Sequence, residues 1–329
     1  MPEMLKQEVG TILKPQLIGQ SLVMTQLFNA MAMIARRQPS TLIEGETGTG
    51  KELVARQLHE LSERAEKPFV PVDCATIPKE LAESELFGHE AGAFTGAKGR
   101  RIGYFEEAQE GTVFLDEVSQ IPRELQPKLL RVLQERQMRR LGSNKLIPVD
   151  VWVIAATNRK LEEIAAKAEF PRDLMYRLNV VKLAIAPLRE RKDDIPLLVE
   201  HFLREQDVSF TSEAMRALQD YNWPGNVREL QNVVISCATF LEEGQSEIGL
   251  QELPRALRVF HSEATRDILP TIPPEGINLV EMLAKVEERY VRAALMQANF
   301  DRHEASRLLG IECDWLMRRM EEFHIGVRR

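Results

Sequence analysis

The sequence predicts an α/β fold, a parallel sheet covered by helices, followed by a smaller all-helical part. Three observations predict it. A short apolar strand at residues 42–44 runs into the Gly-rich loop GETGTGKE at 45–52 and then into a helical pattern over 52–62. Apolar runs recur at 69–72, 112–115 and 151–155 with helical patterns between them, as expected of parallel strands joined by crossover helices. Beyond about Pro187 only helical periodicity is legible.

The elements follow in order. Residues 125–134 place Leu125, Leu129, Leu130 and Leu133 on one helix face. Helices are expected over 193–204, 212–221 and 227–241, the last entered through the turn Trp223-Pro224-Gly225-Asn226. Residues 255–276 hold Pro270, Pro273, Pro274 and Gly276 with little periodicity and read as a linker. Three helices close the chain, at 279–298, 302–309 and 313–323, with a turn at Gly310.

Composition narrows the function. The 329 residues carry 43 Lys and Arg against 50 Asp and Glu, a net charge of −7, which disfavours a protein that coats DNA or an anionic membrane. Cys74, Cys237 and Cys313 are far apart and form no CxxC pair, so a disulfide framework or zinc site is not indicated. The first eighteen residues carry Glu3, Lys6, Glu8 and Lys14 and lack a signal-peptide core. No apolar run approaches a membrane span, and the cytoplasm is the expected location.

Two motifs point to nucleotide chemistry. In GETGTGKE, Gly45, Glu46, Thr47, Gly48, Thr49 and Gly50 form a loop whose N–H groups can turn inward around phosphates. Lys51 supplies positive charge near the β and γ groups. Glu52 stands where the general pattern has a magnesium-ligating Ser or Thr. The second motif is VFLDE at 113–117, an apolar strand ending in paired acids. Asp116 can hold Mg²⁺ and Glu117 can polarise an attacking water. Thr157-Asn158 ends the next predicted strand. ATP hydrolysis with ATP and Mg²⁺ is the expected chemistry. Between the motifs lies ELFGHEAGAFTGA at 85–97, a loop of small residues with one Phe and one Thr. It cannot do phosphate chemistry and reads as a part that the nucleotide site moves.

These residues carry a resemblance. GETGTGKE, ELFGHEAGAFTGA, VFLDE, PLRERKDDI at 187–195 and WPGNVREL at 223–230 make the stretch from about 16 to 257 similar to the AAA+ domain of bacterial enhancer-binding proteins, the ATPases that activate sigma-54 RNA polymerase. The resemblance implies a homo-oligomeric ring, usually a hexamer, that hydrolyses ATP and remodels the closed polymerase–promoter complex. It implies that Lys51 binds phosphate, Asp116 serves the metal and Glu117 the water. Asn158 falls in the sensor I region and Arg228 at sensor II. Gly92, Ala93, Phe94, Thr95, Gly96 and Ala97 would form the loop that touches sigma-54. A compact tip with one apolar anchor suits that task.

Two positions depart from the family. Asp73 replaces the usual Asn that restrains the catalytic Glu; a carboxylate cannot donate that bond and repels Glu117 unless one of the two is protonated. Altered coupling of hydrolysis to the loop is expected. The arginines that reach a neighbouring subunit's nucleotide usually lie in FREDLYYRL; here the segment is FPRDLMYRL at 170–178. Arg177 matches the second arginine and is the preferred trans finger, whereas Arg172 is displaced by one place.

The last segment resembles a Fis-type helix-turn-helix. A second helix beginning Glu312-Cys313-Asp314-Trp315 would enter the major groove. Arg302, Arg307, Arg318 and Arg319 are the expected phosphate contacts, with Trp315 at the reading end. Residues 277–329 hold nine basic and nine acidic side chains, which lacks the excess of a strong DNA binder. A helical dimerisation or docking module is the alternative.

The expected organisation is a short extension at 1–15, an α/β subdomain at 16–188, a helical lid at 189–257, a linker at 258–276 and the helix-turn-helix at 277–329. With so little ahead of the ATPase, the chain resembles members that lack a sensory domain and answer to a separate regulatory protein. A DNA-bound regulator in which ATP sets only oligomeric state is the runner-up. A general AAA+ unfoldase leaves GAFTGA unexplained.

Overall fold

A computed structural model of the chain describes residues 17–95, 97, 99–242, 244–266, 278–298, 300–323 and 325. Gly96 of the small-residue loop and the expected extension at 1–15 lie outside the described residues. The chain divides into two units, residues 1–264 and 265–329, each described by itself.

The first unit is built on the strands β1 (Thr41–Glu44), β2 (Phe69–Asp73), β3 (Thr112–Asp116), β4 (Gln137–Met138), β5 (Ile147–Pro148), β6 (Trp152–Thr157) and β7 (Val181–Ala184). Five of them form a parallel sheet in the order β2-β3-β6-β1-β7. Alternation sends each strand's side chains to two cores. Leu42, Val72, Val113, Leu115 and Val153 face one side; Ile43, Phe114, Ile154 and Leu183 face the other. Strand β6 is buried along its whole length, the pattern of a central parallel strand. The edge strand β7 and the small antiparallel pair β4–β5 are elements that the sequence does not announce.

The helices are α1 (Leu22–Arg37), α2 (Lys51–Glu60), α3 (Lys79–Phe87), α4 (Tyr104–Glu107), α5 (Gln126–Glu135), α6 (Leu161–Ala166) and α7 (Arg172–Leu178) around the sheet. Helices α1 and α2 cover one face through Met24, Met31, Val54 and Leu58. Helices α3, α5, α6 and α7 cover the other through Leu86, Leu129, Ile164 and Leu174.

The lid packs α8 (Ile195–Leu203), α9 (Ser212–Asp220), α10 (Asn226–Thr239) and α11 (Arg255–Arg266) around Trp223, which is fully buried and donates its indole N–H to Leu218 O at 2.7 Å. Two details differ from the sequence expectation. Strands do not stop at Pro187, because β8 (Ser209–Phe210) and β9 (Glu247–Ile248) pair in parallel across the lid; at two residues each they are too short to show a period. The stretch from 258 onward is not linker from its start. Helix α11 continues to Arg266, with neither Pro nor Gly in it, and docks Phe260 edge-on against Tyr221 and His261 Nδ1 against Asp220 Oδ2 at 2.7 Å. The prolines at 270, 273 and 274 lie outside the described residues.

The second unit holds α12 (Leu279–Gln297), α13 (Arg302–Leu309) and α14 (Cys313–Glu322) around Val291, Leu295, Ala305, Leu316 and Met320. Asp301 caps α13 by accepting the N–H groups of His303 and Glu304, and those bonds hold its carboxyl below the usual range. Gly310 ends α13 at φ +64°, in the left-handed region glycine adopts freely. Among the described residues no helix is long and apolar enough to cross a membrane.

Candidate nucleotide site and its loop

The carboxyl ends of β1, β3 and β6 open on a cavity of about 930 Å³, lined on the sheet side by Gly48, Lys51, Asp116, Glu117 and Asn158 and on the lid side by Arg228. The Gly-rich loop leaves β1 and wraps inward. Gly48 and Gly50 take φ +80° and +102°, and a Cβ on Gly48 would lie 2.2 Å from Gly225 O of the lid. Only glycine permits that approach. Thr49 is buried and donates its hydroxyl to Glu46 O at 2.7 Å, so it braces the loop from inside. Lys51 opens α2 and points its Nζ at Gly45 O and Glu117 Oε1, both at 3.2 Å. The α2 N-terminus adds the positive end of the helix to the same place.

Glu117 is held in a left-handed backbone, φ 48° and ψ 48°, unusual for this residue type and typical of functional positions. Its Oε2 accepts the Asn158 N–H at 3.2 Å while Lys51 holds Oε1. Asn158 Nδ2 in turn donates to Thr47 Oγ1 at 3.3 Å, so Asn158, Glu117 and the loop form one chain of contacts. Asp116 accepts the Glu117 N–H at 2.9 Å through Oδ1. Burial pushes its carboxyl above the ordinary range, against the pull of that N–H and of Lys51. Asp73 lies beside Asp116 in register, and Cys74 N–H donates to Asp116 O at 3.0 Å. The Asp73 carboxylate accepts the Ala75 N–H of its own turn at 3.0 Å. Three acids therefore crowd one corner. Burial first, then the charges of Asp73, Asp116 and Glu117, push the Cys74 thiol up.

Among the described residues no three acidic, His or Cys side chains converge as a cation cage. Asp116 alone, facing the cavity beside Lys51, fits Mg²⁺ in its usual habit of binding one or two carboxylates together with phosphate oxygens. Glu52 also lines the cavity, where it pairs with Arg56 at 3.0 Å. Glu46 turns instead toward Arg189 and Asn226. Arg189 grips it at 2.6 and 2.8 Å and Asn226 donates to it at 3.2 Å; these bonds, Arg189 foremost, hold its carboxyl below the usual range.

The two arginines at α7 are placed differently. Arg172 is exposed at the first position of the helix and makes no ion pair among the described residues. Arg177, half-buried, donates Nε and Nη2 to Leu133 O near the end of α5 at 3.1 and 2.8 Å. Sequence ranks Arg177 first; the geometry gives Arg172 the freer guanidinium.

The small-residue loop projects from the end of α3 on a fastened base. His89 bridges to Arg101 and Leu141, Arg140 binds Glu90 at 2.6 Å and Glu106 at 2.9 Å, and Arg101 Nη2 binds Glu85 at 2.7 Å. Gly92 turns at φ +79° and donates its N–H to Ala97 O at 2.9 Å. Phe94 remains 40 % exposed, its ring edge-on to His89 with centroids 5.0 Å apart, and Thr95 is exposed beside it. Ser84 Oγ, 2.6 Å from His89 Nδ1, fixes the imidazole beneath. The tip is presented and the base is rigid.

In the second unit Arg307 pairs with Glu304 at 2.6 Å, and Arg319 pairs with Glu287 at 2.7 Å and Glu322 at 2.6 Å while lying over the Trp315 ring. Arg302 and Arg318 have no ion pair among the described residues. Sequence reasoning missed Asn226, Arg189, Asp194 and His89. Asp194, fully buried, accepts the Gln20 and Ser21 N–H groups at 2.7 and 2.8 Å and so fastens the lid to the entry of α1. For Asn226 a signal existed: asparagine directly after Gly in a tight turn is among the few side chains that tolerate a left-handed backbone.

A parallel sheet in this order, a glycine loop, an Asp-Glu pair and a helical lid closing over them define an AAA+ nucleotide-binding unit. Residues 17–184 match the Sigma-54 interaction domain and residues 189–268 the AAA+ ATPase lid domain. The transcriptional regulatory protein ZraR of Salmonella typhi is 46% identical over 302 residues, which are 90% of this chain and 66% of that protein. The regulatory protein AtoC of Escherichia coli is 43% identical over 320 residues, 94% of this chain and 68% of that one. The structure of NtrX from Brucella abortus in complex with ADP superposes with a TM-score of 0.69 at 34% identity, covering 94% of this chain and 70% of NtrX. The chain belongs to the family of sigma-54-dependent transcription regulators with an AAA+ domain. It spans about two thirds of the length of the ZraR and AtoC relatives.

Proposed function

We propose that this chain hydrolyses ATP in the cytoplasm and uses the energy to remodel the closed complex of RNA polymerase, sigma-54 and promoter. The observation that carries the reading is the half-exposed Phe94 on its ion-paired base, in the same unit as a nucleotide cavity. An ATPase without a moving target has no use for an aromatic presented among small residues.

The reaction follows from the residues. Loop N–H groups and Lys51 cradle the triphosphate, and Asp116 holds Mg²⁺, which when bound neutralises charge on the phosphate oxygens. Glu117, aimed by Lys51 and Asn158, orients the attacking water and accepts its proton. Arg228 answers to the phosphates from the lid. Arg172 and Arg177 serve the nucleotide of a neighbouring copy in a ring of six. Nucleotide state then biases the loop between two positions, and Phe94 and Thr95, with Gly92, Ala93, Gly96 and Ala97 around them, engage sigma-54 in one of them. A heparin-challenge assay for open promoter complexes tests this. Wild type is expected to open the promoter only with ATP. Thr95→Ala is expected to hydrolyse ATP and open nothing; promoter opening by that variant at the wild-type rate would sink the proposal.

Asp73 serves as the switch position. An amide there can donate to Glu117 and hold it back, as a carboxylate cannot. Asp73→Asn is therefore expected to lower basal ATPase by about threefold or more, the scale of one hydrogen bond. An unchanged rate without sigma-54 removes Asp73 from the coupling.

The last three helices tether the chain to upstream DNA, with Arg302 and Arg318 as the freest phosphate contacts and Arg307, Arg319 and Trp315 in support. Each of Arg302→Ala and Arg318→Ala is expected to reduce the slope of log affinity against log salt by about one. Binding to promoter-upstream DNA that is absent or indifferent to salt counts against a DNA tether.

A further inference from the structure

Asn226 is wholly buried, with its backbone at φ +53°, and its carboxamide reaches three partners in two segments. Oδ1 accepts the Leu188 N–H at 2.8 Å, in the connection between sheet and lid. Nδ2 donates to Thr47 O at 3.0 Å and to Glu46 Oε2 at 3.2 Å, both in the Gly-rich loop. The orientation of the amide is fixed by its partners: the Leu188 N–H can only donate and the Thr47 carbonyl can only accept. Arg189, the residue after Leu188, grips Glu46 from the other side with two bonds. Next to this amide the Gly48 and Gly225 backbones touch, and Arg228 N–H donates to Gly48 O at 3.3 Å. The phosphate loop is thus fastened to the lid by the Asn226 amide and the Glu46–Arg189 pair, together with the Arg228 N–H and the Arg191 guanidinium, which donates to Thr49 O at 3.2 Å.

We propose that Asn226 is a positioning residue for nucleotide binding. With the Glu46–Arg189 pair it sets the Gly-rich loop against the first turn of α10, so that Arg228 and Lys51 meet the same phosphates. The inference rests on reading the cavity as a nucleotide site. Both Nδ2 hydrogens and the Oδ1 acceptor are in use, so the lid cannot rotate from the loop without leaving buried polar groups unpaired. No other side chain of this size both accepts once and donates twice.

The test is equilibrium titration of the full chain with a fluorescent ADP analogue, alongside thermal unfolding. Asn226→Asp is isosteric, keeps the acceptor for Leu188 and loses both donors. It is expected to weaken ADP binding by about tenfold or more, the scale of a hydrogen bond to a charged group together with the new repulsion from Glu46. Adding Glu46→Gln is expected to restore most of the affinity, because the amide introduced at 46 can donate to the carboxylate introduced at 226. Glu46→Ala, on the exposed side of the latch, is expected to weaken ADP binding by about threefold with little change in unfolding temperature. A folded Asn226→Asp variant that binds ADP as wild type does, or a double variant no better than the single, overturns the proposal. Should Asn226→Asp fail to fold, an unchanged affinity in Glu46→Ala overturns it instead. Failure of wild type to bind ADP strikes at the nucleotide reading itself and is seen separately.

Discussion

Glu117→Gln leaves nucleotide binding in place and cuts ATP hydrolysis by about 100-fold or more, the usual worth of a general base. The substitution keeps the shape of the side chain, and an amide oxygen can still accept the Asn158 N–H. Proton acceptance is lost, together with the charge that pairs with Lys51. Its nearest acidic neighbours are already engaged: Asp116 accepts the Glu117 N–H, and Asp73 accepts the Ala75 N–H of its own turn. The check is phosphate release at saturating ATP together with ADP titration. Hydrolysis within a few-fold of wild type would mean that another group activates the water.

Arg172→Ala and Arg177→Ala are each expected to lower hydrolysis by about 1,000-fold, the lower end of what a trans arginine contributes. They should differ in a second respect. Arg177 also ties α7 to α5 through Leu133 O, so its loss costs about 1–3 kcal/mol of stability by leaving that carbonyl short of donors. Arg172, exposed and without an ion pair among the described residues, should cost almost none. Mixing decides whether they act in trans. A ring containing both Glu117→Gln and Arg172→Ala subunits has some interfaces with an intact acid on one side and an intact arginine on the other. Hydrolysis in the mixture above that of either variant alone is the expected outcome; no gain at any ratio would place the arginine in its own subunit's chemistry.

The sheet was legible because parallel central strands are buried on both faces and read as apolar runs, as Val113–Leu115 and Val153–Ala155 do. Strand β7 escaped because an edge strand carries polar side chains such as Lys182, here paired with Glu44 at 2.7 Å. The phosphate loop and the Asp-Glu pair were legible because close approach to phosphates and a metal admits few residue types. What the sequence hid is long-range pairing. Glu46 sits inside the phosphate motif and reads as part of it, yet its carboxylate belongs to Arg189, 143 residues on. Arg177 matches a finger position, but its guanidinium meets a carbonyl that no spacing rule reveals. The sequence reads helix α11 as linker because Pro270, Pro273, Pro274 and Gly276 follow it in the same stretch. Tyr221 and Asp220, which hold it, lie far off in the chain.

We propose the loop bearing Phe94 and Thr95 as a sigma-54 contact controlled by nucleotide. Its most direct test is complex formation between the purified chain and purified sigma-54 in ADP plus a metal-fluoride transition-state mimic, followed by gel filtration. The complex is expected to form only with the mimic and to disappear in Thr95→Ala, while that variant keeps its ATPase. Hydrolysis by wild type with no complex under any nucleotide condition would contradict it and assign the loop to another partner.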